Sequence, residues 1–402
     1  MKKIYVIGTC DTKGDELDFA VACIRAAGLE SVLVDVSTTP HGFSFNIAAA
    51  TIAAAHPSGA SAVLGKSDRG EAVSAMADAL SMWLPRQQDV AGVLGLGGSG
   101  NTAIVTQAMR ALPVGVPKVM LSTLASGQVA GFVGPTDICM MHSVVDIAGL
   151  NAISRTIIAN AAHAVVGMVR HAGTVAVASR PAIGMTMFGV TTACITHIRK
   201  LIEPACESYV FHATGTGGQS FEKLAESGYF EAVFDITTTE VADNLCGGVL
   251  PCTADRFGAF IRKAIPYVGS VGAVDMVNFG ARDTVPEKYR DRKFHVHNAH
   301  VTLMRTTADE NRRIGAFIVE RLNQMQGPVR FLLPSKGVSA IDAEGQVFHD
   351  PEADTALFDA IKQGWQPAPH RKLIEINAHI NDPAFATAAV AAFEEMRPHA
   401  PL

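Results

Sequence analysis

The sequence predicts an α/β protein of two doubly wound parallel-sheet subdomains, and three observations carry that prediction. Short aliphatic runs alternate with longer amphipathic segments along the whole chain, the pattern of strands joined by right-handed helical crossovers. The 402 residues are 48% hydrophobic yet only 6% aromatic, with 18% charged, which suits parallel strands buried on both faces by aliphatic side chains. The alternation resets around "GTVAVASRP", which divides the chain near residue 178 into subdomains 1–178 and 179–402. A ligand cleft is expected at or near their interface.

Taken in order, "KIYVIG" reads as a strand and "KGDELDFAVACIRAAG" as a helix with Leu17, Ala20, Val21, Ile24 and Ala27 on one face. "SVLVDV" is a strand, "EAVSAMADALSMWL" a helix, "AGVLGLG" a strand, "NTAIVTQAMRAL" a helix and "PKVMLST" a strand. "DICMMHS" follows as a further strand before the long helix "NAISRTIIANAAHAVVGMVRHA". The second half alternates in the same way. There "PAIGMTMFG", "ESYVFHATG", "EAVFDIT", "GAVDMVNFG", "VRFLLPS" and "KLIEINA" are strands, with helices between and after them. "IGTCDT" against "FGVTT", and "GLGGSG" against "TGTGGQ", hint at an internal duplication.

The charge balance excludes some classes of partner. A net charge of −5 argues against nucleic acid and against a membrane surface. Two stretches lack Asp, Glu, Lys and Arg, Val36–Gly65 and Val119–Thr136. Both are broken by Pro, Gly, Ser or Thr, so they read as buried or ligand-facing loops rather than spans. The seven cysteines include no CxxC and sit among aliphatic residues. With no secretory pattern in "MKKIYVIGTC", a reduced, cytoplasmic setting is expected.

In doubly wound sheets, ligands gather beyond the carboxyl ends of the strands, so the post-strand loops carry the information. In the first half these are "GTCDTK", "DVSTTP", "GLGGSGNT", "LSTLASGQ" and "DIAGLN". Gly95, Gly97 and Gly100 match G-x-G-x-x-G formally. The dinucleotide form fails for want of an acid at the next strand's end, and no Gly-Lys-Ser/Thr completes a P-loop. What survives is an anion nest of backbone N–H groups at a helix start; the competing reading is a packing turn. Asp11 is either part of the helix cap or a ligand contact, and Lys13 reads as a solvated first-turn lysine.

The second half carries the candidate chemistry. "HATGTGGQSF" repeats the nest logic with Gly215, Gly217, Gly218 and Gln219, and "DITTTEVADN" places Asp235, Thr238 and Glu240 at a strand end and helix start. Alternation in "FHVHNAH" puts His295 and His297 on one face, with His300 close by. They are metal ligands, satisfied core residues or acid–base groups, and no metal is assigned. Arg282 and Lys336 sit in further strand-end loops. The expected catalytic set is Asp235, Glu240, His297 and Lys336, and the expected substrate contacts are Gly215, Gly217, Gly218, Gln219, Thr238 and Arg282.

"VIGTCDTKGDEL", "GLGGSGNT", "LSTLASG", "TGTGGQSFEKL" and "DITTTEVADNLCGG" together resemble the ATP-binding domain family named after the tomato mosaic virus resistance protein, a widespread bacterial family otherwise labelled uncharacterised. The resemblance runs over essentially the whole chain. It implies two Rossmann-like subdomains, with ATP and Mg²⁺ held by the N-terminal one. Contact roles fall by the resemblance on Thr9, Asp11, Thr12, Ser37, Gly97, Gly98, Ser99, Gly100, Thr123, Ser126 and Gly127, and more weakly on Asp146. The plant member carries a further barrel domain, and virus inhibition belongs to that member alone.

Two functions compete. One is an ATP/Mg-dependent enzyme acting on a small acidic metabolite by phosphoryl transfer, which needs positioning and charge rather than a covalent nucleophile. The other is a non-catalytic, ATP-binding regulatory or protein-interaction module. A dehydrogenase ranks third. The expected ligand is a small molecule and the expected assembly a homo-oligomer, a dimer.

Overall fold

The first strand, β1 (Lys3–Gly8), has five of its six residues buried, as a strand covered by helices on both sides must. The computed structural model describes residues 2–173 and 180–397. The boundary expected near residue 178 lies outside the described residues; the chain divides by its contacts into Met1–Val177 and Ala178–Leu402. Both units are Rossmann-like: parallel sheets flanked by helices on either face.

In the first unit β1 leads into α1 (Cys10–Ala26), β2 (Ser31–Asp35), α2 (Ala49–Ala53), α3 (Arg69–Trp83), β3 (Val90–Gly97), α4 (Ser99–Ala111), β4 (Lys118–Ser122), α5 (Ala130–Val133), β5 (Cys139–His142) and α6 (Ala152–His171). The sheet order is β2-β1-β3-β4-β5 and every pairing is parallel. Side chains alternate across it. Ile4, Val6 and Leu94 pack with Leu17 and Val21 of α1 and Ile158 and Val165 of α6, while Tyr5, Ile7 and Val93 pack with Met76 and Leu80 of α3 and Ile104 and Val105 of α4. The helix α6 is long and apolar enough to cross a membrane by length and composition, but its face through Ile158, Ala161, Ala162, Val165 and Val166 is buried in that core. The chain leaves β1 for β2, then returns past it to β3. The strand order therefore reverses between β1 and β3, and a crevice opens at their carboxyl ends.

The second unit runs β6 (Ala182–Met187), α7 (Thr192–Ile202), β7 (Glu207–His212), α8 (Gly215–Glu226), β8 (Ala232–Thr237), α9 (Thr239–Cys246), α10 (Gly258–Lys263), β9 (Tyr267–Gly272), β10 (Met276–Phe279), β11 (Phe294–Asn298), β12 (Val301–Arg305), α11 (Ala308–Gln324), β13 (Val329–Pro334), α12 (Pro351–Gly364), β14 (Arg371–Ile376) and α13 (Pro383–Glu394). Its main sheet is parallel, ordered β14-β13-β9-β8-β6-β7. Read from β7 inward, this is the first unit's order with one strand added. The central strands β8, β9 and β13 are buried throughout, whereas the edge strands β7 and β14 are half-exposed. β10, β12 and β11 form a separate antiparallel sheet.

Two expectations are corrected here. "GAVDMVNFG" is not one strand: Gly272 ends β9 and Met276 begins β10. The strand "YVGSVG" escapes a sequence reading because its glycines look like turn signals. A Cβ on Gly269 would press into Phe331 at 2.8 Å, and one on Gly272 into the Ile236 carbonyl at 2.6 Å, so these glycines admit neighbours to a crowded central strand. The proposed repeat of "GLGGSG" as "TGTGGQ" also fails topologically. The first follows β3, the third strand of its unit, and the second follows β7, the second strand of its own. The counterpart of "GLGGSG" is "TTTEVADN" after β8.

Candidate functional site

The crevice between β1 and β3 is built from two helix starts. At the end of β3, Gly97 has φ +155 and a Cβ there would lie 2.8 Å from that of Asn101, so only glycine fits. The Asn101 side chain locks the turn by donating to the Leu96 carbonyl at 2.6 Å. Gly98 then caps α4 without any side-chain bond, so the first N–H groups of a 13-residue helix are left to an outside acceptor. A Cβ on Gly98 would meet nothing nearer than Thr123 Oγ1 at 3.9 Å. Space, rather than contact, surrounds this glycine.

The α1 start is wired differently. Asp35, buried at the end of β2, accepts the Cys10 N–H at 3.1 Å, the Ser37 N–H at 3.0 Å and the Ser37 hydroxyl at 2.5 Å, and pairs with His41 Nε2 at 3.0 Å. Burial pushes this carboxyl up, but the bonds from Ser37, His41 and Cys10 outweigh it and hold Asp35 below its ordinary value. The Asp11 N–H donates to Ser37 Oγ at 3.0 Å. Asp11 Oδ2 accepts from the Thr39 hydroxyl, and its Oδ1 is buried with no partner. Phe43 lies so close over Gly14 that a Cβ there would overlap its ring, which seats the loop after β2 on α1. Lys13 breaks the helix geometry at φ −133.

Between these starts lies a cavity of ≈ 500 Å³, within the range of small-molecule sites. Thr9, Asp11, Thr12 and Lys13 line it from α1, and Gly98, Ser99, Gly100 and Asn101 from α4. Thr38 and Thr39 line it from the loop after β2, and Lys66, Ser67 and Arg69 from the segment entering α3. Its lining holds one carboxylate, Asp11, against Lys13, Lys66 and Arg69. Lys66 is paired with Glu71 at 2.9 Å.

Six sequence-selected residues thus come together: Thr9, Asp11, Thr12, Gly98, Ser99 and Gly100. The other six do not line the cavity. Ser37 is buried beneath the α1 start, Gly97 is the hinge of the turn, and Thr123 is half-buried beside Gly98, while Ser126, Gly127 and Asp146 are exposed. Sequence reasoning missed Lys66, Ser67 and Arg69, and set Lys13 in solvent. Their one signal was position: Lys66 and Arg69 belong, with Asp68, to the first charges after the uncharged stretch Val36–Gly65.

The second unit answers differently. Asp235 and Glu240 are brought together, but around an arginine that the sequence did not flag. Arg256, 2% exposed, donates to Asp235 at 2.8 Å, Glu222 at 2.9 Å and Glu240 at 3.1 Å and stacks on Phe257. Asp235 also accepts from Thr186 and Tyr267, each at 2.9 Å. Burial pushes Glu240 up to about 7 against the pull of Arg256, and raises Glu222 likewise. The missed signal was an acid inside the apolar strand "AVFDIT", which demands a buried cation.

The remaining candidates do not join this cluster. A Cβ on Gly218 would lie 2.5 Å from Glu240 Oε1, and ones on Gly215 and Gly217 would overlap the Pro251 and His212 carbonyls, so these glycines serve packing and not a nest. Thr238 is buried on the Ser270 carbonyl at 3.3 Å. Gln219 is half-buried. Arg282 is exposed with its guanidinium over the Phe294 ring at 3.9 Å. His297 is exposed on β11, 6.5 Å from the His295 ring, and Lys336 is exposed after β13. Among the described residues no group of three or more His, Cys, Asp or Glu could hold a metal ion. The expected catalytic constellation is therefore corrected to one buried ion cluster and two separate surface residues.

Two family models match, the N-terminal domain of the uncharacterised protein family UPF0261 over residues 2–174 and its C-terminal domain over 180–397. The chain belongs to the UPF0261 family. A UPF0261 protein of Rhizobium meliloti is 54% identical over 98% of this chain and 99% of its own length, and one of Clostridium tetani is 44% identical over 96% and 97%. The ToMV resistance protein Tm-1(GCR237) of Solanum lycopersicum is 41% identical over 98% of this chain, which spans 56% of the tomato protein. Tomato relatives therefore sit within the UPF0261 resemblance, over the part this chain covers.

Proposed function

We propose that the first unit binds a nucleotide, ATP with Mg²⁺, in the crevice between β1 and β3. The observation that carries this is the uncapped start of α4 at Gly98, facing a cavity of ≈ 500 Å³ with Lys13, Lys66 and Arg69 in its lining. Unpaired helix N–H groups, a positive dipole end and flexible cations are what phosphate oxygens require. The residues present fit the metal as well: Asp11 has a buried carboxylate oxygen without a partner, and Thr9 and Thr12 line the same cavity. Bound Mg²⁺ would neutralise phosphate charge. Mg²⁺ is commonly held through one or two carboxylates plus phosphates, and Asp11 is the one carboxylate in the lining.

Binding rather than phosphoryl transfer is the reading favoured here, because the acids selected for an acceptor site, Asp235 and Glu240, are engaged by Arg256 and shut from solvent. The nucleotide would then act as a ligand that stabilises one state of the protein, in a cytoplasmic protein that assembles as a homo-oligomer. Thermal unfolding tests the reading. ATP with Mg²⁺ at about 100 times its Kd should raise the first unit's Tm by about 5–10 °C; millimolar ATP that leaves Tm unchanged overturns it. ATP consumption stimulated by a small acidic metabolite would restore the enzyme reading.

A further inference from the structure

Glu240 is the second residue of α9 and is 0% exposed. Its Oε1 accepts from Arg256, while its Oε2 is buried with no partner. Against this carboxylate lies a void of ≈ 10 Å³, lined also by Gly215, Gly218, Gln219, Glu222, Cys252, Thr253 and Arg256 itself, enough for one small guest. The charge around it is unbalanced: Asp235, Glu222 and Glu240 share the single guanidinium of Arg256. Buried charge without compensation is strongly disfavoured.

We propose that this void is a binding site for one monovalent cation, held by Glu240 Oε2 with neutral oxygens of Gln219 and Thr253. The site is independent of the nucleotide reading. A proton on Glu240 does both at low pH; once Glu240 is ionised, a water molecule would satisfy the orphan oxygen but leave the charge uncompensated, and a sodium or potassium ion does both. A divalent ion is a poorer guest, because Ca²⁺ takes about six to eight oxygens and Mg²⁺ keeps several waters, and the void has room for one small guest only. Asp235 accepts from Thr186, Arg256 and Tyr267, and Glu222 Oε1 from Arg256 and the Phe257 N–H. Exposed Thr253 and half-buried Gln219 give the ion its entrance.

The test is Tm at pH 8, where protons compete least, in sodium, potassium and tetramethylammonium chloride at equal ionic strength. Wild type should melt about 2–4 °C higher in one small-cation salt than in tetramethylammonium, and Glu240→Gln should melt alike in all three. If Glu240→Gln does not fold, Thr253→Val at the exposed entrance takes its place and should lose at least half of the shift. Equal wild-type Tm in the three salts, or an undiminished shift in whichever variant folds, overturns the proposal.

Discussion

The two crevices share a topology and differ in what fills them. In each unit the third strand of the sheet feeds a helix at the point where strand order reverses, α4 in the first and α9 in the second. The second residue of α4 is Gly100, whose missing side chain would reach Val73 of α3 only at 3.6 Å. The second residue of α9 is Glu240, pressed against Gly218 of α8. Glycine thus lies on the β3 side of one crevice and across the helix pair in the other. The first crevice holds a cavity of ≈ 500 Å³, whereas the second unit's void of ≈ 10 Å³ lies between the starts of α8 and α9. The helix start that carries Gly100 faces an open cavity, and the one that carries Glu240 faces a nearly closed one.

The largest expected effect breaks the closed crevice. Arg256→Ala leaves Asp235, Glu222 and Glu240 buried without their cation, which should lower stability by about 3–5 kcal/mol, read from urea unfolding. Affinity for ATP, which we propose for the other unit, should persist in any folded fraction. A loss below about 1 kcal/mol would mean that the cluster does not hold the second unit together.

A smaller effect sharpens the same contrast through pH. Burial raises Glu240 from 4.5 to about 7, so the folded state binds a proton more tightly than the unfolded chain. The contribution of Glu240 to stability is therefore full below pH 4.5 and declines as pH rises to about 7, by on the order of 3 kcal/mol. Urea titrations in tetramethylammonium buffer should show that decline in wild type and a shallower one in Glu240→Gln. Some slope remains in the variant, because burial also raises Asp243 to about 6. Identical slopes would remove Glu240 as its source.

The sequence disclosed the sheets well and the sites unevenly, for physical reasons. Buried parallel strands must be aliphatic, so "KIYVIG" and "AVFDIT" announce themselves; "YVGSVG" does not, because its glycines answer crowding from Phe331 and Ile236 across space. That Gly98, Ser99 and Gly100 face a cavity was legible because an open helix start needs local glycine. Lys66 and Arg69 were not, since a flexible cation reaches a cavity from a remote loop without any local pattern. Gly215, Gly217 and Gly218 misled for the opposite reason. Glycines that admit neighbouring carbonyls and a carboxylate look the same in sequence as glycines that admit phosphate.

Calorimetric titration of ATP with Mg²⁺ into wild type and Gly98→Val tests the central claim most directly. The structure leaves room for the new side chain, with Thr123 Oγ1 at 3.9 Å as the nearest atom to a Cβ, so the variant should fold with an unchanged Tm in the absence of ligand. Its methyls would occupy the space before the α4 N–H groups, and ATP affinity should fall at least about 100-fold, the worth of one or two charge-assisted hydrogen bonds. A folded Gly98→Val protein that binds ATP as tightly as wild type would contradict the account and leave these glycines as packing residues.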